Sequence, residues 1–189
     1  IIDSQRDTTT IRRPLPCSLL LFSKNGTLQK TYNLPVDYAR EIIEMPNGEL
    51  CFLGVESSYV YGKKQKICRI NPLTDQPERI ELEQTDFTQI YYYKGQLWCL
   101  RYTPLEAPRY QKKGIYTVAI LSLITKTMSP VFTKEVSPCY GSSGRLTESG
   151  GQLKFVVNIV SNQDKPVTIN SATSCLKGKG AGVIVYNEL

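Results

Sequence analysis

A Gly, then Glu or Gln, then Leu occurs three times in this chain, and each copy runs straight into an apolar stretch. The copies are Gly48-Glu49-Leu50-Cys51-Phe52-Leu53, Gly95-Gln96-Leu97-Trp98-Cys99-Leu100 and Gly151-Gln152-Leu153-Lys154-Phe155-Val156. Ordinary residue frequencies would produce the tripeptide about 0.1 times in a chain this size. Three copies in like settings therefore point to one supersecondary unit used repeatedly. They begin at 48, 95 and 151, so the spacings are 47 and 56 residues. Upstream of each lies a short apolar or aromatic stretch: Glu41 to Met45, Gln89 to Tyr93 and, more faintly, Arg145 to Thr147. Met45-Pro46-Asn47-Gly48 and Tyr93-Lys94-Gly95 read as hairpin turns, because a left-handed backbone position favours Gly and Asn.

A second family of hairpins alternates with the first. Leu19 to Leu28 is one, turning at Asn25-Gly26; Ile67 to Asp75 is its counterpart, and Val118 to Thr127 a third. Gly182 to Asn187 supplies a single further strand. Each full repeat is thus two hairpins, or four antiparallel strands. β-branched and aromatic residues dominate these segments, and turn formers interrupt them at short intervals, which is an all-β pattern. Asp37 to Met45 is the best helix candidate, but nine residues ending at Pro46 are too few to hold a helix unaided.

The order strand, Asn-Gly turn, Gly-Glu-Leu-x-x-Leu strand, loop, Ile-x-x-Ile-Asn-Pro-x-Thr, strand resembles blades of β-propellers, loosely of the NHL and quinoprotein-like types, over residues 17–189. The resemblance implies an all-β domain of antiparallel four-stranded repeats. Residues 1–16 form an N-terminal extension, and 17–189 a single domain with units at about 17–54, 66–102 and 115–159 and a partial one at 182–189. Two strands before residue 35, four over 39–83, four over 88–134 and three afterwards give thirteen, just over three blades, whereas closed propellers typically use four to eight. The ring is incomplete in this chain, and another chain or further residues would complete it. A β-sandwich or β-barrel built from the same hairpins is the alternative. The start Ile1-Ile2-Asp3 resembles neither a signal peptide nor an initiator methionine, so the chain reads as a trimmed or excised piece.

The chain contains no His. That removes Ser-His-Asp and Cys-His nucleophiles, His-ligated metals and a histidine switch near neutral pH. The six cysteines, at 17, 51, 68, 99, 139 and 175, contain no Cys-x-x-Cys pair, so no structural zinc site and no cofactor are expected. Cys51, Cys68 and Cys99 lie in apolar strand patterns and read as small buried hydrophobes. Cys139 and Cys175 lie in turn-rich segments and could pair in an oxidising compartment, which the sequence leaves undetermined. No apolar run reaches the length of a membrane-spanning helix. Gly178-Lys179-Gly180-Ala181-Gly182 precedes a strand and lacks the Lys-Ser/Thr ending of a phosphate loop; Gly141-Ser142-Ser143-Gly144 reads as a turn; and Asn25-Gly26-Thr27 is a sequon at a predicted turn.

Charge collects in the connections between the two hairpins of each repeat, read as long loops at 55–66, 101–114 and 160–181. They carry +2, +3 and +2, against +6 for the whole chain, so the remainder is close to neutral. Equivalent connections of a propeller emerge on one face, and there Lys63, Lys64, Arg109, Lys112 and Lys113 would attract an acidic partner while Tyr61 and Tyr110 supply contact area. The expected function is a non-catalytic binding or scaffold module whose partner is a protein or an acidic glycan; nucleic acid is not expected at this modest charge. One alternative is a carbohydrate-active or other hydrolytic enzyme using tyrosines and a carboxylate pair drawn from Glu41, Glu44, Glu49, Glu81 and Glu83. Another is a structural subunit or adhesin of a larger assembly. Tyr91-Tyr92-Tyr93 and Trp98 read first as cross-strand packing.

Overall fold

The computed structural model describes residues 17–58, 62–71, 74–82, 87–104, 114–136, 143–162, 168–170, 175–177, 179–187 and 189. Among these residues there is no helix. The strands are β1 (Cys17–Phe22), β2 (Leu28–Leu34), β3 (Tyr38–Glu44), β4 (Leu50–Ser58), β5 (Gly62–Ile70), β6 (Pro77–Ile80), β7 (Phe87–Tyr93), β8 (Gln96–Pro104), β9 (Gly114–Ser122) and β10 (Thr127–Val136). They continue with β11 (Ser143–Ser149), β12 (Gln152–Asn162), β13 (Thr168–Asn170), β14 (Cys175–Lys177) and β15 (Lys179–Tyr186). All pairings are antiparallel, and they divide into successive sheets: β1-β2, then β3-β4-β5-β6, then β7-β8-β9-β10, then β11-β12-β15 with β13-β14 as a small separate hairpin. Strand by strand this is the expected two, four, four and three, plus the small hairpin. The segment Asp37 to Met45, the best helix candidate, is strand β3.

The Gly-Glx-Leu triplet marks one turn in all three larger sheets: the one from the first strand into the second. Lys94-Gly95 and Gly150-Gly151 each bring two consecutive residues to positive φ, 47° and 81° in one and 63° and 71° in the other. That is the two-residue hairpin whose twist matches the flanking strands. In the first copy Gly48 (φ 80°) closes a longer turn in which its amide donates to the Met45 carbonyl and the Met45 amide to that of Glu49.

Consecutive sheets stack face to face, and alternation along each strand divides its side chains between the two neighbours. From the β3–β6 sheet, Phe52, Cys68 and Ile70 pack with Leu34 and Val36 on one side. Cys51, Leu53, Ile67 and Ile80 meet Phe87, Ile90, Leu97, Cys99, Ala119 and Leu121 on the other. The β7–β10 sheet in turn places Trp98, Leu100, Tyr116, Val118 and Val136 against Leu146, Leu153, Phe155 and Val157. Strands β4 and β8 are covered on both faces, which explains why Cys51 to Val55 and Leu97 to Leu100 are uninterrupted apolar runs. At the two ends of the stack the outward faces stay apolar: Leu20, Phe22 and Leu28 are about half exposed on the first sheet, as are Val183 and Val185 on the last.

Cys51, Cys68 and Cys99 are completely buried, as their strand pattern implies. Burial pushes the Cys51 and Cys99 thiols up to about 12, with the Glu49 carboxylate adding to the effect at Cys51. A thiol raised in the folded state stays protonated where the unfolded chain ionises, so its contribution to stability is present below about pH 9 and is lost as pH rises from there to about 12. At about pH 8 we expect iodoacetamide to modify the part-exposed Cys17 in the native protein and to reach Cys51 and Cys99 only on unfolding. Peptide mass spectrometry over a urea series reads this directly, and native modification of Cys51 at the Cys17 rate would contradict it.

Candidate functional site

The first strands of successive sheets, β3, β7 and β11, lie beside one another, and polar side chains tie them together. Arg40 on β3 donates from Nη2 to the side-chain oxygen of Gln65 and, at 3.2 Å, to the Thr88 carbonyl on β7. Gln89 on β7 donates to the Leu146 carbonyl at 3.1 Å, and its own carbonyl oxygen accepts from the Leu146 amide. One amide side chain thereby occupies both hydrogen-bonding groups of a β11 residue, as a neighbouring strand would.

Both β3 and β7 are bulged. Arg40 pairs with Leu53 and Ile43 with Cys51, so Glu41 and Ile42 oppose Phe52 alone. A shift between Phe87 and Gln89 interrupts β7 in the same region. Glu41 takes φ 53°, in the left-handed region that non-glycine residues enter at a cost. A bulge of this kind re-aims side chains that the pleat would otherwise hide, and Glu41 and Ile42 are both exposed. Between the strands lies an open groove of about 430 Å³, lined by Glu41, Ile42, Ile43 and Glu44 from β3 and Gln89, Ile90, Tyr91 and Tyr92 from β7. Two carboxylates, two phenols and an amide around an apolar floor suit a hydroxylated or cationic ligand.

Of the remaining candidate carboxylates, Glu49 and Glu81 are engaged in ion pairs. Glu49, nearly buried at the head of β4, accepts from Arg69 Nη1 at 3.2 Å and from Asn47 Nδ2 at 3.3 Å; Arg69 also pairs with Glu78. These carboxylates hold the Arg69 guanidinium above its ordinary range against the opposing effect of burial. Glu81 lies 3.6 Å from Lys66. Glu83 lies outside the described residues. Among the described residues no group of three His, Cys, Asp or Glu could hold a metal ion.

The basic residues are placed differently from the loop expectation. The β4-β5 ladder runs out to Ser58 opposite Gly62, so Lys63 and Lys64 sit within β5, in register with Ser57 and Glu56. The long loop at 55–66 is therefore corrected to a connection at 59–61; ladder hydrogen bonds satisfy backbone groups that a loop would leave to water. The same correction applies at 160–181, where β12 extends to Asn162, β13 and β14 form a hairpin and β15 begins at Lys179. Tyr61, Arg109, Tyr110, Lys112 and Lys113 lie outside the described residues, as does Cys139. Cys175 is in β14, opposite Asn170. Sequence reasoning missed Arg40 and Gln89: both stand in strands with ordinary polar alternation, and their partners, Gln65 and Thr88 for one and Leu146 for the other, are remote in sequence.

No protein-family model, curated protein or solved structure matches the chain.

Proposed function

We infer that this chain is a propeller-type scaffold and binding module that recognises an acidic protein or an acidic glycan at the end of its sheets where Lys63 and Lys64 lie. The observation that carries the reading is the stacking of successive antiparallel meanders through alternate faces, with the first strands side by side and the same turn repeated at one end. In such a stack the second strand of each sheet ends on the side opposite the repeated turn, and Lys63 and Lys64 stand at that end of the β4-β5 ladder. Apolar outward faces on both terminal sheets support a ring that further sheets complete, because packing a sheet against one neighbour only leaves its other face in water.

Changing Lys63, Lys64, Lys112 and Lys113 together to Glu is expected to weaken partner binding by at least about tenfold at low ionic strength, with the difference shrinking as salt screens it. Unchanged affinity in low salt would remove this surface from consideration. The groove beside Glu41 and Glu44 favours a second reading, hydrolysis on carboxylates. Turnover of glycans or chromogenic esters that both Glu41→Gln and Glu44→Gln abolish would replace the binding reading with that one.

A further inference from the structure

The repeated Glx does not serve the same purpose in each sheet. Glu49 is drawn into the ion pair with Arg69 and buried. Gln96 and Gln152, at the same step of the next two sheets, are exposed. They line one groove of about 330 Å³ between those sheets, together with Tyr93, Lys94, Trp98 and Asn187. The turns that carry them are locked to each other, since the Tyr93 hydroxyl donates to the Gly151 carbonyl across the sheet boundary. Lys94 Nζ stands 5.0 Å from the centre of the Tyr93 ring, where the cation is attracted to the aromatic face. Trp98 is buried, and its Nε1–H has no acceptor among the described residues.

The chemistry of these walls is specific. Three carboxamides offer paired donors and acceptors of the kind that sugar hydroxyls take, and two aromatic side chains add apolar surface. The one charged side chain among the described lining residues is a cation. We propose that this groove is a binding site for an acidic pyranose, a uronic-acid unit of a glycan. Gln96, Gln152 and Asn187 hydrogen-bond the ring hydroxyls, and Lys94 pairs with the carboxylate. The site lies at the turn end of the sheets, away from Lys63 and Lys64, and does not depend on the surface proposed there.

Titrating the full chain with methyl glucuronide and methyl glucoside, followed by NMR, tests the assignment. Saturable millimolar binding is expected for the glucuronide, about tenfold weaker binding for the glucoside, and loss of both in the Gln96→Ala, Gln152→Ala double variant. Lys94→Asn keeps the turn, because Asn before Gly suits its positive φ, and should reduce the glucuronide to the affinity of the glucoside. Absence of saturation by either sugar would overturn the site. So would binding that survives the double variant with its melting temperature unchanged. Equal affinity for the two sugars would overturn the acidic assignment. Charge reversal at Lys63 and Lys64 reads the other surface, so failure of one proposal leaves the other standing.

Discussion

Phe155→Ala is expected to cost about 3–5 kcal/mol, a large share of the roughly 5–15 kcal/mol that holds a domain folded. Phe155 is fully buried in the seam between the β7–β10 sheet and the last one. Its ring lies 5.3 Å from that of Tyr116, 5.9 Å from Phe132 and 5.6 Å from Tyr186, so it joins aromatic side chains from both sheets. Truncation removes the transfer free energy of the ring and leaves a cavity among the rings of Tyr116, Phe132 and Tyr186. The urea midpoint should fall with little change of slope, and the melting temperature by about 10 °C. Phe155→Leu should recover much of the loss. A cost under about 1 kcal/mol would mean that the last sheet does not share a core with its neighbour.

The second large effect is at Gly54, in the middle of β4, where the backbone is ordinary strand and no turn calls for glycine. The segment 35–37 that leads from the first sheet to the second crosses β4 here, and the Asp37 amide donates to the Val55 carbonyl at 3.0 Å. A Cβ on residue 54 would stand 2.5 Å from Val36 Cγ1 and 2.9 Å from Cys68 Sγ. Gly54→Ala should therefore destabilise by about 1–3 kcal/mol, although alanine ordinarily stabilises a strand relative to glycine. Because the closest clash is with Val36, Val36→Ala should relieve part of it, and the coupling from the double-mutant cycle should be about 1 kcal/mol or more. Additive effects would show that the close approach does not set the residue.

Much of this architecture could be read from residue order. The turn at Gly48, Gly95 and Gly151 was legible because positive φ selects Gly, Asn or a short list of others, and such selection leaves a mark in the sequence. The runs Cys51-Phe52-Leu53 and Trp98-Cys99-Leu100 announced burial for the same reason. The extent of the ladders was not legible: Lys63 and Lys64 look like loop residues because the end of a strand accepts the same polar side chains as a loop. The inner-strand groove was half legible. Glu41, Glu44, Tyr91 and Tyr92 were visible as chemistry, but the bulge that exposes Glu41 rests on the difference between two β3 residues and one β4 residue, which no local pattern records.

The sequence alone determined that the chain is all-β, built from alternating hairpins with turns at named glycines, because those features depend on the conformational preferences of adjacent residues. Which face of each strand meets which sheet, that Gln89 bonds β11 while Gln96 and Gln152 share a groove, and that Glu49 leaves solvent for Arg69 were decided only by tertiary packing. Those outcomes depend on residues tens of positions apart meeting at distances of a few ångströms, and a repeat that is the same in sequence acquires different neighbours in each copy.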